Sequence, residues 1–293
     1  MIDGKTDDKT LEIKKNYQRQ CPNLKIYNNE KKIIPAALNI GLRVAKGDVI
    51  IRIDGHTLFE KNYLSQCIKF LKKVDADCVG GRIESIGKSY LGRAIALAMS
   101  SCFGVGNVYF RTSGKPRYVD SVAFGAYRKE VFAKISNFNE DLYYCEDDEF
   151  NYRLRKLGGK IYLTPKIKSY YYVRSSLIKL WRQYFRYGCW KVRVLQKHFR
   201  MMQPRQFVPP VMIFLLILTG VFGFFVKDFW QIFMLIISAY IISSLSASFL
   251  LSSKKGMKYF AVLPIIYFFI HFSYGLGFLW GLIKFSKYWI RTR

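Results

Sequence analysis

Two groups of acidic residues carry the side chains in this sequence that are best suited to chemistry. Asp54 and His56 follow a short isoleucine-rich run, residues 48–53, that is typical of a buried strand. An extended backbone would point this carboxylate and this imidazole the same way. Carboxylate oxygen suits Mg²⁺ or Mn²⁺, and imidazole suits the softer end of that range. The alternative is that Asp54 and Gly55 form a turn and that His56 caps the next helix.

Four consecutive acids, at residues 146–149, form the second group. They open a predicted helix that closes on basic residues, and this distribution suits the helix dipole, so they could simply cap the helix. However, four adjacent carboxylates repel one another more than capping requires. Such repulsion makes sense beside a cation, or where one carboxylate serves as a base with a raised pKa.

Alternating strands and helices in the first 173 residues would position these acids. Strand patterns lie at residues 24–27, 48–54, 78–83, 119–127, 160–164 and 167–173. Helix patterns lie at residues 8–19, 34–45, 60–74, 89–101 and 129–135, and residues 103–117 form a predicted loop. This alternation predicts an α/β fold with a mainly parallel sheet and helices on both faces. Ligands bind such sheets at the carboxyl ends of the strands.

The composition indicates a polyanionic neighbour. The chain has 293 residues, a formal net charge of +27 and 51% hydrophobic residues. Nucleic acid, anionic lipid or a phosphorylated substrate could balance that charge. The six cysteines contain no Cys-x-x-Cys pair, which argues against a zinc site and against a disulfide framework.

The distribution of apolar residues separates these possibilities. A basic, aromatic-rich helix predicted over residues 175–199 would suit either a membrane interface or single-stranded nucleic acid. Three apolar stretches follow it, at residues 207–226, 229–253 and 259–283, and each is long enough to span a bilayer. We therefore predict a membrane protein that binds anionic lipid and phosphorylated ligands and no nucleic acid.

Lysines and arginines predict the orientation of these stretches. Basic residues before the first stretch and at 254–258 place both regions on the cytoplasmic side. Three spans would then leave the basic residues of 284–293 outside, against the positive-inside rule. Either the rule fails there, or the last stretch is re-entrant around Gly275, Gly277 and Gly281. We expect His271, in the same stretch, to bond a neighbouring helix rather than to act in catalysis.

Four motifs in a fixed order give the chain a family resemblance. They are Asp-Gly-x-x-x-Asp at residues 3–8, Asp-Gly-His at 54–56, Glu-Asp-Asp-Glu at 146–149 and Gln-x-x-Arg-Tyr at 183–187. Phe-Gly-Val-Gly-Asn at 103–107 and Tyr-Gly-Leu-Gly-Phe at 274–278 add to them. The set resembles the family 2 inverting glycosyltransferases of the GT-A fold, in particular the succinoglycan-type membrane-associated glucosyltransferases.

The resemblance implies roles for the acidic residues. Asp54 would bind a metal–diphosphate, with His56 in the place of the family's second acid and with Mg²⁺ or Mn²⁺ as the cofactor. Asp147 would be the general base, and Asp3 would contact the nucleoside. The family's Gln-x-x-Arg-Trp box would correspond to Gln183, Arg186 and Tyr187, which would help to hold the diphosphate and the acceptor, with tyrosine in place of tryptophan.

The resemblance also implies a function. The chain would move a sugar, with inversion, from a nucleotide sugar such as a UDP-hexose to a lipid-linked or polysaccharide acceptor in bacterial exopolysaccharide or capsule synthesis. A phosphotransferase or nucleotidyltransferase is disfavoured because the sequence lacks a glycine-rich phosphate loop with lysine.

The expected organisation has three parts. A GT-A-like domain at residues 1–173 precedes an amphipathic interfacial region at 174–206 and about three transmembrane helices at 207–293. The catalytic domain would lie on the cytoplasmic side of the cell membrane. The family's first strand and helix have no counterpart before residue 3, so we expect an N-terminally incomplete sheet, and an inactive membrane scaffold is the alternative.

Overall fold

The computed structural model of the chain describes residues 1–4, 9–55 and 57–290. Its strands are β1 (Ile2–Asp3), β2 (Tyr27–Asn28), β3 (Val49–Ile51), β4 (Thr57–Phe59), β5 (Cys78–Ile86), β6 (Arg117–Tyr118), β7 (Ala126–Arg128) and β8 (Ile161–Tyr172). The first eight helices are α1 (Thr10–Gln20), α2 (Ile34–Val44), α3 (Tyr63–Lys73), α4 (Tyr90–Met99), α5 (Cys102–Val105), α6 (Tyr109–Thr112), α7 (Lys129–Ile135) and α8 (Glu146–Lys156). The remaining helices are α9 (Leu177–Lys197), α10 (Pro204–Gly223), α11 (Lys227–Lys255), α12 (Leu263–Lys284) and α13 (Lys287–Ile290).

The main sheet is mixed rather than mainly parallel as predicted, while the α/β class is confirmed. Its strands lie in the order β3-β7-β5-β8-β4, and β6 also pairs with β8. In this sheet β5 and β8 pair in parallel, and the other described pairs are antiparallel. A parallel pair needs a long crossover, usually a helix. A loop at residues 119–125, rather than a crossover helix, precedes β7, so β7 can pair antiparallel with its neighbours.

Three predicted segments differ from the observed ones. Residues 103–117 hold the short helices α5 and α6 rather than only a loop, and the strand predicted at 119–127 is reduced to β7. The strands predicted at 160–164 and 167–173 form one strand, β8, with a register shift opposite Gly81 and Arg82. The other predicted helices lie within a few residues of their expected bounds.

Two apolar cores flank the sheet. On one face, α7 and α8 pack through Phe150 and Leu154 of α8, and the Phe150 ring stacks on Phe138 with centroids 4.4 Å apart. On the other face, α3 and α4 form a core that continues into α9 and α12, where Leu180 and Tyr267 are buried. The membrane-proximal helices therefore share a core with the sheet.

The C-terminal region contains the three long apolar helices that the sequence predicts. By length and hydropathy, α10, α11 and α12 could each cross a membrane. The last of them is an unbroken helix, so Gly275, Gly277 and Gly281 do not interrupt it. The predicted bonding of His271 is confirmed, because its ring nitrogens lie 2.8 Å from the Phe103 carbonyl and 3.2 Å from the Tyr240 hydroxyl.

Candidate active site

The first turn of α8 carries all four consecutive acids. Cys145, immediately before it, has left-handed backbone angles (φ 65°, ψ 21°), and its side chain makes no capping hydrogen bond. Phe150 and Leu154, four residues apart on one face, bury the helix against the sheet. The acids are therefore held in place by packing, and three of them bond to cations of the protein rather than serving only as caps.

Arg52 joins the two acidic groups that the sequence singles out. It follows β3, and its Nε and Nη2 donate to the two oxygens of Asp54 at 2.9 and 3.2 Å. Its Nη1 donates to Oε1 of Glu146 at 2.8 Å. A single guanidinium thus holds the end of β3 against the start of α8. Asp54 is thereby joined to Glu146, the residue before Asp147, with which the sequence predicts Asp54 to act.

Two further acids of the first turn of α8 have their own cations. Asp148 accepts from Nζ of Lys191 at 2.8 Å and from the Ser121 hydroxyl at 3.0 Å. Glu149, which is buried, accepts from Nε of Arg153 at 2.9 Å and lies 2.9 Å from Nε2 of His198.

Asp147 differs from its neighbours. Its Oδ1 accepts a hydrogen bond from the backbone N–H of Asp148 at 2.8 Å. Within residues 1–4, 9–55 and 57–290, no cation forms an ion pair with Asp147. Burial, followed by the negative charge of Asp148, raises the pKa of the Asp147 carboxyl. Among the four acids, Asp147 is the one whose oxygens are left for a ligand.

The pKa values of the two neighbours of Asp147 are shifted in opposite directions. Burial and the charge of Asp147 raise the pKa of Glu146 to about 7, although Arg52 opposes the shift. Burial would also raise the pKa of Asp148, but Lys191 and Ser121 outweigh it, so that pKa lies below its usual value. Asp148, whose carboxylate stays ionised, therefore lies next to Asp147, whose carboxylate takes up a proton more readily.

A buried polar chain supports Asp148 from behind. The Tyr127 hydroxyl donates to Oδ1 of Asn151 at 2.8 Å, and Nδ2 of Asn151 donates to the Ser121 hydroxyl oxygen at 2.9 Å. These residues, together with Arg52 and Lys191, are not predicted from the sequence. Arg52 had a signal, because it is the one charge within the apolar residues 49–53. No sequence pattern indicates Ser121, Asn151 and Lys191, because only the tertiary structure brings them to the acids.

Comparisons with known proteins show the family to which the chain belongs. The family described as "Glycosyl transferase family 2" matches residues 1–136. A dolichyl N-acetyl-α-D-glucosaminyl phosphate 3-β-D-2,3-diacetamido-2,3-dideoxy-β-D-glucuronosyltransferase from Methanococcus voltae is 30% identical over 293 residues, which cover 97% of this chain and 87% of the relative. The chain belongs to glycosyl transferase family 2.

A second relative and a solved structure are also similar to the chain. The succinoglycan biosynthesis protein ExoA of Rhizobium meliloti (strain 1021) is 31% identical over 71% of this chain, and the chain spans 64% of that relative. A mannosyltransferase from Pyrobaculum calidifontis, solved with GDP-Man and Mn²⁺, superposes with a TM-score of 0.55 at 15% identity, over 95% of this chain and 76% of that one. The predicted GT-A fold is confirmed.

The residues predicted to match the family 2 box lie on α9. Gln183 Nε2 donates to the Tyr187 hydroxyl at 2.9 Å and to the Tyr171 hydroxyl at 3.3 Å. Arg186 is exposed, and its Nη1 donates to the Tyr144 hydroxyl at 3.2 Å, in the segment just before α8. Arg186 therefore reaches the rim of the acidic site, while Gln183 fixes the ring of Tyr187.

The remaining predicted family 2 site residues lie elsewhere. Asp3 is buried on β1, where its carboxylate forms an ion pair with Lys14 of α1. His56 lies outside the described residues. Within the described part of the chain, no group of three or more His, Cys, Asp or Glu side chains could hold a metal ion. The protein side of a metal site would therefore rest on Asp54, with His56 still a prediction.

Proposed function

We propose that this chain transfers a sugar from a nucleotide sugar, a UDP-hexose, to a lipid-linked or polysaccharide acceptor with inversion at the anomeric carbon. The observation that carries the proposal is the Arg52 bridge, which brings Asp54 beside four acids, of which Asp147 forms no ion pair with any cation that the structure describes. The names of two relatives support it, since one concerns succinoglycan biosynthesis and the other a dolichyl-linked sugar phosphate. Bacterial exopolysaccharide or capsule synthesis is the process we propose.

Asp147 is the proposed general base. Its carboxylate would take the proton of an acceptor hydroxyl as that oxygen bonds to the anomeric carbon and the bond to the nucleoside diphosphate breaks. One displacement of this kind inverts the sugar configuration. The raised pKa of Asp147 suits a base that works near neutral pH.

Asp54 is the proposed ligand of the divalent metal, together with His56. Each Asp54 oxygen accepts one bond from Arg52 and keeps a further lone pair. The carboxylates of residues 54 and 146–148 face two cations, Arg52 and Lys191, so a dipositive ion would offset the excess negative charge. The oxygen donors thus fit Mg²⁺ or Mn²⁺. When bound, the ion would neutralise charge on the diphosphate.

The other predicted residues would surround the donor and the acceptor. Arg186, at the rim, would offer a guanidinium to the diphosphate, and Gln183 with Tyr187 would help to hold the diphosphate and the acceptor. Asp3 would contact the nucleoside.

Replacement of Asp54 tests the metal assignment. We expect Asp54→Ala to abolish metal-dependent binding of the nucleotide sugar in titration calorimetry, because Asp54 is the proposed metal ligand among the described residues. Asp75→Ala is the matched control, since that side chain is 86% exposed. Unchanged, metal-dependent binding by Asp54→Ala would remove Asp54 from the metal site.

The chain would act at the cytoplasmic face of the cell membrane. Residues 1–173 would form the catalytic domain, 174–206 the interfacial region and 207–293 the membrane region. Basic residues around α9 and at 254–258 would contact anionic lipid, which would account for part of the +27 charge.

An assay on membranes tests the proposal directly. Membranes containing the chain would be incubated with radiolabelled UDP-hexoses and a lipid-linked saccharide acceptor. We expect label to enter the lipid-soluble fraction when a divalent metal is present, and to be released by mild acid with the inverted anomer. Donor binding without any transfer would instead indicate a non-catalytic membrane scaffold.

A further inference from the structure

We infer that α12, although apolar enough to cross a bilayer, does not cross it. It lies along α9 on the leaflet next to the catalytic domain, where it forms a lipid-facing surface. The chain then crosses the membrane twice, through α10 and α11. This inference concerns placement in the membrane and holds whether or not the chain transfers sugar.

The first observation is that α9 and α12 run side by side in the same direction. Trp181 packs on Phe269 near their beginnings, with ring centroids 5.7 Å apart, and Gln196 Nε2 donates to the Phe285 carbonyl at 2.8 Å near their ends. The contact extends over 16 residues of α12, about 24 Å at 1.5 Å per residue. The two helices therefore lie at one level relative to the membrane.

Glycines allow this close contact. A Cβ atom at Gly188 of α9 would lie 2.1 Å from the Tyr274 carbonyl oxygen of α12, and one at Gly277 of α12 would lie 2.1 Å from the Phe185 carbonyl oxygen of α9. Backbones that approach this closely form a fixed pair, so α12 cannot tilt into the bilayer without taking α9 with it.

The second observation is that α9 cannot enter the hydrocarbon. It carries six lysines and arginines and no acid. Lys179, Arg182 and Arg186 are exposed along one side. Each such charge costs about 2.5–3.5 kcal/mol at the centre of a bilayer, so a helix with several of them stays at the interface. Because α12 is fixed to it, α12 stays there as well.

The third observation is that α12 begins against α4 and ends against α9, whose Lys191 pairs with Asp148. Just before α12, the Tyr259 ring stacks on Tyr90 of α4 with centroids 5.4 Å apart, and the Tyr90 hydroxyl donates to the Lys258 carbonyl. Just after α12, Arg193 of α9 lies 3.8 Å from the centroid of the Tyr288 ring. A membrane-crossing helix would have one end far from the part of the chain that carries the acids.

The α10–α11 hairpin behaves differently. Arg205, at the start of α10, pairs with Asp120 at 3.0 Å. At the turn between the helices, Phe224 and Phe225 are 79% and 80% exposed. Within their most apolar 18 residues, 22% of α10 and 11% of α11 are buried, against 44% of α12. The turn of the hairpin thus projects from the protein. By contrast, α12 is covered on one side by α9 and by the parts of α10 and α11 that contact Gly275 and His271.

The uncovered side of α12 fits the lipid of one leaflet. Four exposed residues of α12 are large and apolar and lie on one side of it, Ile265 and Phe268 near its beginning and Trp280 and Ile283 near its end. The exposed Lys284 ends the helix. With α12 in the plane of the membrane, Lys284 and Lys287 lie on the same side as the basic residues of 254–258, which satisfies the positive-inside rule.

Cysteine labelling tests the inference. Single cysteines would be introduced at three exposed positions, as Phe225→Cys, Met257→Cys and Ser286→Cys, into the full chain with Cys21→Ser and Cys102→Ser, because Cys21 and Cys102 are the exposed native thiols among the described residues. A membrane-impermeant maleimide would be applied to sealed vesicles of both orientations. The chain with native Cys21 alone exposed reports the side of the catalytic domain.

We expect Met257→Cys and Ser286→Cys to be labelled from the same side as Cys21, and Phe225→Cys to be labelled from the opposite side. Labelling of Ser286→Cys from the side of Phe225→Cys would mean that α12 crosses the bilayer and would overturn the inference. Labelling of all three positions from the side of Cys21 would also overturn it, because the hairpin would then not cross.

Discussion

Lys191 places a positive charge inside the protein, and its partner is the acid next to the proposed base. The side chain is 7% exposed, and Asp148 is 33% exposed. Taking an ammonium out of water is unfavourable unless its charge is balanced. The pair therefore stabilises the first turn of α8 chiefly by avoiding an unpaired buried charge, and it fixes the position of Asp147 relative to Arg52.

A double-mutant cycle measures this pair. We expect Lys191→Met to lower the free energy of unfolding by about 1.5–3 kcal/mol, the usual value for a hydrogen bond to a charged group. Addition of Asp148→Asn should restore part of that loss, since it removes the unpaired carboxylate. The measurement is thermal or urea unfolding in detergent, and strictly additive single effects would show that the two side chains do not interact.

The raised pKa of Asp147 predicts a pH dependence. A base must be ionised, so transfer should decline, as the pH falls, at a higher pH than the ordinary aspartate pKa of about 3.9. Asp148→Asn removes a negative charge that raises this pKa, and the decline should therefore move to lower pH. The check is kcat/KM against pH, with Asp141→Asn as an exposed control. A shift to higher pH in Asp148→Asn would contradict the assignment.

At the scale of elements, the contact between α9 and α12 determines where the family box lies. Gln183, Arg186 and Lys191 all belong to α9, and α9 is held by α12 through Gly188, Gly277 and their facing carbonyls. The helix α9 thereby positions Lys191 at Asp148 and Arg186 at the Tyr144 hydroxyl.

Enlarging one of these glycines should disturb the site. Gly277→Ala would place a methyl group 2.1 Å from the Phe185 carbonyl oxygen, and we expect a loss of about 1–3 kcal/mol in unfolding free energy together with lower transfer. Gly41→Ala in α2 is the control, because a Cβ there meets nothing within 4 Å. The control should be neutral or stabilise by up to about 1 kcal/mol. Equal stability of both variants would rule out a tight contact.

The helices and strands also show which parts of the fold could be predicted from the sequence. Periodicity located most helices, because their apolar faces repeat over three turns or more, as on α3. Periodicity failed at residues 119–127, where the pattern around Ser121 and Val122 is typical of a strand. These two residues lie in a loop, and the Ser121 hydroxyl donates a hydrogen bond to Asp148. Periodicity also predicted mainly parallel pairing, since local pattern does not specify the direction in which β7 enters the sheet.

For the whole molecule, the order of motifs predicted the family and the fold. The acidic residues were identified because carboxylates in unusual positions are visible in a sequence. Their partners were not, because Lys191 is 43 residues from Asp148, and Arg52 is 94 residues from Glu146. Likewise, hydropathy found three apolar helices, but only the contacts of α12 with α9 and α4 indicate that one of them lies flat.

Charge is also arranged at this scale. Acids converge on one site in a chain whose net charge is +27, while α9 and the segments that flank the apolar helices carry basic residues and almost no acids. Anionic lipid and a phosphorylated donor would be drawn to the same face of the protein. That arrangement would bring a lipid-linked acceptor close to Asp147.

The most direct test of the account is sugar transfer by Asp147→Asn in membranes, beside the Asp141→Asn control. The substitution keeps the size of the side chain and removes its basicity. We expect transfer to fall by about 10²–10⁴-fold, the usual contribution of a general base, while donor binding by calorimetry and recovery in the membrane fraction stay at wild-type levels. Transfer within twofold of the wild type would show that Asp147 is not the base.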